Sequence, residues 1–379
     1  MNRLTDGVVG MIPNLFPHLQ SLVANQAISR PAPPMDAALR RLAGEGIRMR
    51  LHRLEFCCCN RCELSAGALA AICRHHPLRV LKVGGKIEGA DVVTLPATLR
   101  KLSTMFSDLL EQQPTRPDPT RPGGRLNTSL RRLTLTGCPP IKPPGHPFSL
   151  GPLLDRVRFG GLARLRIDPP GGGSCLDTEH WGVGFPKIAS LTVRFVKKEW
   201  GHTLCDRIAQ LPNLRTLRLE SCHGITSASL QTLAASCPML RSFHLTRCGL
   251  LEPSHVAGDH AGHMRQIRDS PFFEALMDFL RCHPDLRHIT TCGVLRAVPP
   301  AVVECCAVSC PHIETVGFWP LPDAPKSTYE ISRPQGEVSK EVIERWLARM
   351  PTLRRCYWPT VMDAWWYRAE MQRWSRSKR

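Results

Sequence analysis

The feature that most constrains the fold of this chain is an apolar phrase that recurs at a fixed interval. Its clearest copy, LRTLRLESC, spans Leu214–Cys222, and the phrase restarts at Leu240. The pattern is L-x-x-L-x-L-x-x-C, and the copies that begin at 162, 188, 214 and 240 are each 26 residues apart. Repetition at such an interval is typical of chains that fold as stacked, equivalent repeats.

Other copies follow the same register with varying quality. Full matches begin at Leu51 and Leu130, matches without the cysteine begin at 78, 162, 188 and 313, and weaker ones begin at 19, 99, 286 and 353. A proline stands two residues before the opening apolar position in seven copies. Because proline stops a preceding helix and favours an extended chain, we predict a strand at each copy.

The segments between the strands predict helices. After the strand at 214–222, Ile225, Leu230 and Leu233 fall on one helical face, and Thr226 is a candidate N-cap. Similar helices are predicted at 64–73, 204–211, 272–280, 302–308 and 342–347. No single repeat can bury both its strand and its helix, so the repeats must stack.

Composition fits such an array and narrows the compartment. The chain has 379 residues, of which 42% are hydrophobic, and it contains 17 cysteines. Its start does not resemble a signal peptide, and no stretch approaches the roughly 20 apolar residues of a membrane span. We therefore expect reduced thiols rather than a disulfide scaffold, in the cytoplasm and/or the nucleus.

The phrase at 214–248, with its Ile-Thr, its Leu-x-x-Leu and its closing Cys-Pro, resembles a cysteine-containing leucine-rich repeat. Repeats of this kind are typical of F-box leucine-rich-repeat proteins and their ribonuclease-inhibitor-like relatives. The resemblance implies an α/β fold: a right-handed horseshoe with a parallel sheet on the concave side and helices outside. It also implies substrate recognition for an SCF-type ubiquitin ligase, with a Skp-type adaptor and a cullin as partners. We recognise no F-box in the sequence.

The repeats predict one solenoid over residues 1–379. A partial repeat is expected at 1–16, because Leu4-Thr5-Asp6 resembles the start of the helical half. Flexible insertions are predicted at 112–127, 139–147, 252–270 and 320–337. The segment 353–379 is predicted to cover the end of the core with its tryptophans and to finish in a basic tail.

The charge pattern suggests where a partner binds. Lys and Arg total 50 against 32 Asp and Glu, a formal net charge of +18. If the third, fifth and seventh positions of each phrase point away from the core, they form a concave face on which Glu55, Asp168 and Glu220 are the acids. The candidate binding residues on that face are Arg53, Lys82, Lys101, Arg132, Arg164, Arg166, Arg194, Arg218, His244 and Arg355.

A basic face of this kind predicts an acidic or phosphorylated protein partner, held by charge-assisted arginine contacts. Nucleic acid or another anionic ligand is the alternative, and it predicts affinity that falls with added salt. A generally basic, solvated surface is a third interpretation.

Two segments carry residues that bind metals. The segment Cys57–Cys62, with Cys73 and His75-His76 downstream, has the C-x-x-C spacing that suits zinc. However, Cys59 occupies the repeat position of Cys222, and a second ligand pair at finger spacing is absent. The insertion at 252–270 also holds His255, Asp259, His260 and His263. We favour the interpretation without metal or cofactor at either segment.

Signatures of catalysis are missing from the sequence. It contains no H-E-x-x-H, no G-x-S-x-G and no G-x-x-x-x-G-K-[ST]. The chain is therefore predicted to be a non-enzymatic scaffold for protein–protein interaction.

Overall fold

A computed structural model describes fourteen stretches of the chain, and all structural statements below concern them. They are residues 6–26, 40–44, 48–58, 63–84, 86–88, 98–105, 130–136, 161–168, 185–196, 201–246, 248, 271–292, 300–319 and 340–357. The chain divides into a first unit, Met1–Ile188, and a second unit, Ala189–Arg379. Each unit is described by itself.

The first unit contains a parallel sheet of six strands in the order β1-β2-β4-β6-β7-β8. These strands are β1 (Ser21–Gln26), β2 (Arg53–Cys58), β4 (Val80–Gly84), β6 (Lys101–Met105), β7 (Arg132–Thr136) and β8 (Arg164–Asp168). Two short strands, β3 (Glu63–Ser65) and β5 (Lys86–Glu88), pair in a second parallel sheet. The described stretches of this unit include the helices α1 (Asp6–Leu15) and α2 (Ala66–His75).

The second unit alternates strands and helices along the chain. Its strands are β9 (Ser190–Val196), β10 (Thr216–Cys222), β11 (Ser242–Thr246), β12 (His288–Cys292), β13 (Thr315–Trp319) and β14 (Arg355–Tyr357). Its helices are α3 (Gly201–Ile208), α4 (Ser227–Ser236), α5 (Pro271–Cys282), α6 (Pro300–Ser309) and α7 (Lys340–Arg349). Each strand pairs in parallel with the next, and one of these described helices lies between each pair in sequence.

The apolar positions of the phrase form ladders in the core. Leu217 on β10 lies opposite Leu191 on β9 and Phe243 on β11, and all three side chains are fully buried. Helices cover this side of the sheet, since the ring centroid of Phe243 lies 4.6 Å from that of Phe279 on α5. The α/β class and the parallel leucine-rich-repeat sheet are therefore confirmed within each unit.

Backbone hydrogen bonds at the start of the strands hold successive repeats in register. The carbonyl oxygen of Arg215 accepts from the amides of Arg241 and Ser242, at 2.8 and 2.9 Å. The carbonyl of Arg100 in the first unit accepts from Arg131 and Arg132 in the same way, at 2.9 and 3.0 Å. Each strand therefore starts in the same register as the strand before it, whatever the length of the segment that connects them.

Helix α4 begins as its sequence predicts. The Thr226 hydroxyl accepts from the backbone N–H of Ser229 at 3.2 Å, and the Ser229 hydroxyl accepts from the backbone N–H of Thr226 at 3.3 Å. This reciprocal capping box satisfies two amides that the helix leaves unpaired. The same loop constrains α3, because a Cβ added at Gly201 would collide with the carbonyl oxygen of His223.

The cysteine that closes the phrase bonds to the preceding repeat. The thiol of Cys222 donates to the carbonyl of Val193 at 3.5 Å, and that of Cys248 donates to the carbonyl of Leu219 at 3.4 Å. Both thiols are buried, and the nine cysteines whose side chains the structure describes form no disulfide with one another. Cysteine fits here because it is small and its S–H is a weak donor.

Most predicted elements are confirmed, with shifted boundaries. The weaker copies at 19, 99, 286 and 353 form β1, β6, β12 and β14. The helix predicted at 64–73 was wrong at its start, since Leu64 belongs to β3 and the helix begins at Ala66. The insertions at 112–127, 139–147, 252–270 and 320–337, and 358–379 of the C-terminal segment, lie outside the described residues. The single solenoid and the partial repeat at 1–16 stay predictions.

Within the described stretches, we find no helix with the length and apolar character needed to cross a bilayer.

Candidate functional site

Each six-stranded sheet has one buried side and one side on which most of the described alternate residues are accessible, which we call the strand face. On β7, Leu133 and Leu135 are buried, whereas Arg132 and Thr134, which alternate with them, are not. All ten predicted binding residues lie on strand faces, and none of them is buried. Six belong to the first unit (Arg53, Lys82, Lys101, Arg132, Arg164 and Arg166) and four belong to the second (Arg194, Arg218, His244 and Arg355).

Three cations of the first unit occupy one register row on neighbouring strands. Lys101 lies opposite Arg132, and Arg132 lies opposite Arg164. Adjacent strands are about 4.8 Å apart, so the three side chains leave the sheet close together. Within the described stretches, none of the three takes part in an ion pair. Like charges in directly opposed positions destabilise a sheet, so the row opposes folding.

The acidic side chains of this face do not relieve the row. Glu55 pairs with Arg53 on its own strand, with the guanidinium nitrogen and carboxylate oxygen 2.9 Å apart. Asp168 pairs with Arg166 in the same way, also at 2.9 Å. Both carboxylates are therefore already engaged by arginines outside the row.

A second set of cations, which was not predicted from the sequence, lies at the second position of the phrase. Arg79, Arg100 and Arg131 immediately precede β4, β6 and β7, and all three are exposed. The recurring dipeptide Leu-Arg is the signal that could have found them, since it opens seven copies of the phrase. Together with the strand residues they form what we call the basic array: Arg79, Lys82, Arg100, Lys101, Arg131, Arg132, Arg164 and Arg166.

The strand face of the second unit has a different chemistry. Hydroxyl side chains and two histidines occupy most of its outward positions: Ser190, Thr192, Thr216, Ser242, His244, Thr246, His288, Thr290 and Thr315. Arg194 forms an ion pair with Glu220, and the Arg218 guanidinium lies 4.0 Å from the same carboxylate. The two strand faces therefore differ in charge density.

Two histidines of this face are held by threonines of the next strand. Nδ1 of His244 lies 2.7 Å from the Thr290 hydroxyl, and Nδ1 of His288 lies 3.2 Å from the Thr315 hydroxyl. Burial, with smaller contributions from Arg218 and His288, lowers the pKa of His244 to about 4. His244 is therefore neutral at pH 7.

Cys73 and His76 of the cysteine-rich segment are buried in the core. Burial raises the pKa of the Cys73 thiol to about 12, so it is not a ready thiolate ligand. His76 is buried, and its two ring nitrogens contact the Leu51 amide at 3.3 Å and the Leu42 carbonyl at 3.0 Å. No group of three or more metal-binding side chains occurs in the stretches that the structure covers. Residues 59–62 and the 252–270 insertion lie outside those stretches.

Comparisons with known proteins give matches among solved structures only. No family profile and no curated protein sequence matches the chain. A chain in a solved structure described as "Crystal structure of TLR13-ssRNA13 complex" matches with 12% sequence identity and a TM-score of 0.31. The alignment covers 82% of this chain and 50% of that chain, so this chain spans about half the length of the other. A TM-score this low does not establish a shared fold.

Proposed function

We propose that this chain is a non-enzymatic scaffold that binds an acidic or phosphorylated protein partner on the basic array of its first unit. The observation that carries the proposal is the row of Lys101, Arg132 and Arg164, whose positive charges face one another across three strands without an ion pair in the described structure. The repulsion within this row destabilises the folded protein. A bound anion would relieve it, which gives the row a function.

The arrangement of the array suits an extended anionic surface. It covers four neighbouring strands, which corresponds to about 14 Å across the sheet. Arginine guanidinium groups can bind carboxylate or phosphate oxygens in pairs, which adds orientation to charge attraction. Repeat folds commonly use such extended surfaces for binding.

Nucleic acid is the second candidate partner, and the charge density of the array favours it. However, the outward positions of β4, β6, β7 and β8 carry no aromatic side chain, as the printed sequence shows. Proteins that bind single strands usually stack bases on aromatic rings. The array therefore fits an acidic protein segment better than a single-stranded nucleic acid.

A pair of matched triple variants tests the proposal. The first replaces Lys101, Arg132 and Arg164 with glutamine; the control replaces Arg215, Arg241 and Arg354, and so removes the same charge from the second unit. The probes are an oligoglutamate peptide, a doubly phosphorylated peptide and a single-stranded RNA of equal charge. Fluorescence anisotropy measures the affinities, and circular dichroism verifies that each variant is folded.

We expect the array variant to bind both peptides at least tenfold more weakly, since each lost charged hydrogen bond is worth about 1.5–3 kcal/mol. The control variant should stay within about twofold of the wild type, and affinity should fall with added salt. Equal losses in both variants would show a diffuse basic surface and overturn the proposed site. Tighter binding of RNA than of either peptide would replace the protein partner with nucleic acid.

We further propose that the chain recognises substrates for an SCF-type ubiquitin ligase in the cytoplasm or nucleus. The support for this role is the resemblance of 214–248 to F-box leucine-rich-repeat proteins. Affinity purification of the tagged full chain from its own cells, with mass spectrometry, should recover a Skp-type adaptor and a cullin. Their repeated absence would remove the ligase role and leave the proposal for the array intact.

A further inference from the structure

The strand face of the second unit gathers one arginine and two histidines on three neighbouring strands. Arg218 on β10 lies opposite His244 on β11. His288 on β12 lies opposite Ser242, two residues along β11 from His244, so the two imidazoles are diagonal neighbours. Arg218 is exposed, and both imidazoles are half-buried.

The threonine contacts leave one nitrogen of each imidazole for a ligand. When the Thr290 hydroxyl donates to Nδ1 of His244, the neutral ring carries its proton on Nε2, on the opposite side of the ring. Thr315 can hold His288 in the same tautomer. No group in the described stretches bonds to Nε2 of either ring. The cluster therefore offers two N–H donors beside a guanidinium, which is a suitable set for an oxyanion.

Arg218 is the charged group directly opposite His244, on β10, and Glu220 lies further along the same strand. On β12 His244 faces Thr290, and His288 is its diagonal neighbour. Glu220 already forms an ion pair with Arg194. The neighbours Ser242 and Thr246 on the same face of β11 carry no charge.

We propose that Arg218, His244 and His288 form a binding site for a single oxyanion group, a phosphate or a carboxylate, and that the site takes up a proton when the anion binds. This site is separate from the basic array, and its existence does not depend on the partner proposed for the array.

Proton uptake follows from the environment of His244. Burial and the positive charge of Arg218 keep its pKa at about 4 when the site is empty. A bound anion favours the charged imidazolium, so it raises this pKa and His244 gains a proton as the complex forms. By linkage, the affinity for the anion must then rise as the pH falls. The basic array cannot give this signature, because Arg and Lys do not titrate between about pH 5 and pH 8.

Calorimetry with inorganic sulfate tests the site, since the charge of sulfate is constant over this range. Titrations of the full chain at about pH 7.5 and pH 5.0, in buffers of different ionisation heat, give both affinity and proton uptake. If the anion restores the pKa of His244 from about 4 to its usual value of 6.5, affinity should rise roughly 25-fold between these two conditions. Uptake should approach one proton per sulfate at the lower pH.

Three variants locate the effect. Arg218→Gln should weaken sulfate binding at both pH values, and His244→Gln should retain binding but lose the pH dependence and the proton uptake. Arg281→Gln on α5 removes one exposed cation elsewhere and should match the wild type. Thermal unfolding at both pH values verifies that each variant is folded.

An affinity that does not change with pH, or proton uptake that persists in His244→Gln, would overturn the proposal. Unchanged sulfate binding in Arg218→Gln would overturn it as well. A phosphoserine peptide and its glutamate counterpart then identify the source of the oxyanion: whichever gains affinity from Arg218 carries the group that the site accepts.

Discussion

At the scale of single residues, Thr291 places a hydroxyl group in the core of the second unit. Its register neighbours are Leu245 on β11 and Phe318 on β13, so an apolar side chain is the norm at this position. Thr291 is fully buried, and its hydroxyl has no hydrogen-bond partner among the residues that the structure describes. A buried hydroxyl without a partner costs about 1–3 kcal/mol.

Thr291→Val should therefore raise the free energy of unfolding by about 1–2 kcal/mol, because valine has the same shape without the desolvation cost. Urea unfolding measures the change. Thr216→Val on the strand face serves as the control and should change stability by less than about 0.5 kcal/mol. A destabilised Thr291→Val would show that the hydroxyl has a partner in solution.

His76 makes the first unit sensitive to acid. Burial lowers its pKa to about 4, against 6.5 in an unfolded chain. The neutral ring is therefore favoured by folding, and this contribution is complete above about pH 6.5 and is lost as the pH falls towards 4. The difference amounts to about 3 kcal/mol.

Urea unfolding between about pH 7.5 and pH 4.5 tests this prediction. His76→Gln should be less stable than the wild type near neutral pH, because it loses the contacts to Leu42 and Leu51, but it should lose less stability on acidification. His202→Gln, an exposed change on α3, should keep the acid sensitivity of the wild type. Parallel pH curves for His76→Gln and the wild type would contradict the role of His76.

At the scale of elements, β9 and β10 share an unusual backbone conformation near their ends. Phe195 and Ser221 have φ angles of 55° and 54°, in the left-handed region that favours glycine. They occupy the same register, between the pairs Arg194–Glu220 and Val196–Cys222. The left-handed residue shifts the alternation by one, so that Val196 and Cys222 turn into the core.

Phe195→Gly should stabilise the second unit by about 1 kcal/mol, since a bulky residue in this conformation costs about 1–2 kcal/mol. Removal of the aromatic ring costs less than this gain in stability, because Phe195 is 49% exposed. Thermal unfolding measures the effect. Phe195→Ala removes the ring but retains a Cβ, so it should give no gain, and equal stabilisation by both variants would contradict the explanation.

The elements that could be predicted from the sequence are those whose burial repeats along the chain. Even the weak copy at Leu286 forms β12, because its apolar positions match the ladder of the neighbouring strands. The strand β3 was missed because three residues carry no period, and Leu64 suits either a helix or a strand. Arg79 and Arg100 were missed because they stand before the alternation of the strand begins, so a count of alternate positions passes over them.

At the scale of the whole molecule, the formal net charge of +18 opposes compaction. Added salt should therefore raise the unfolding temperature, since it screens repulsion between exposed cations. Part of this repulsion arises within the row of Lys101, Arg132 and Arg164 in the first unit. Arg132→Gln should stabilise the protein by about 0.5–1 kcal/mol at low ionic strength and by less at high ionic strength.

Differential scanning fluorimetry over a salt series measures both effects. Arg281→Gln is the matched control, because Arg281 pairs with Asp278 on α5 at 2.7 Å and its removal relieves no repulsion. A gain from Arg281→Gln equal to that from Arg132→Gln would show that total charge, rather than the row, limits stability.

The doubly accepting carbonyls at the strand starts have a consequence for how such a chain can change over evolutionary time. Each of these carbonyls hydrogen-bonds the start of the following strand, as the Arg215 carbonyl does with the amides of Arg241 and Ser242. The bonds do not involve the segment between the two strands. A 26-residue cassette such as 214–239 can therefore be duplicated or deleted as a whole. Each event would widen or narrow the strand face by one strand and leave the other strands unchanged.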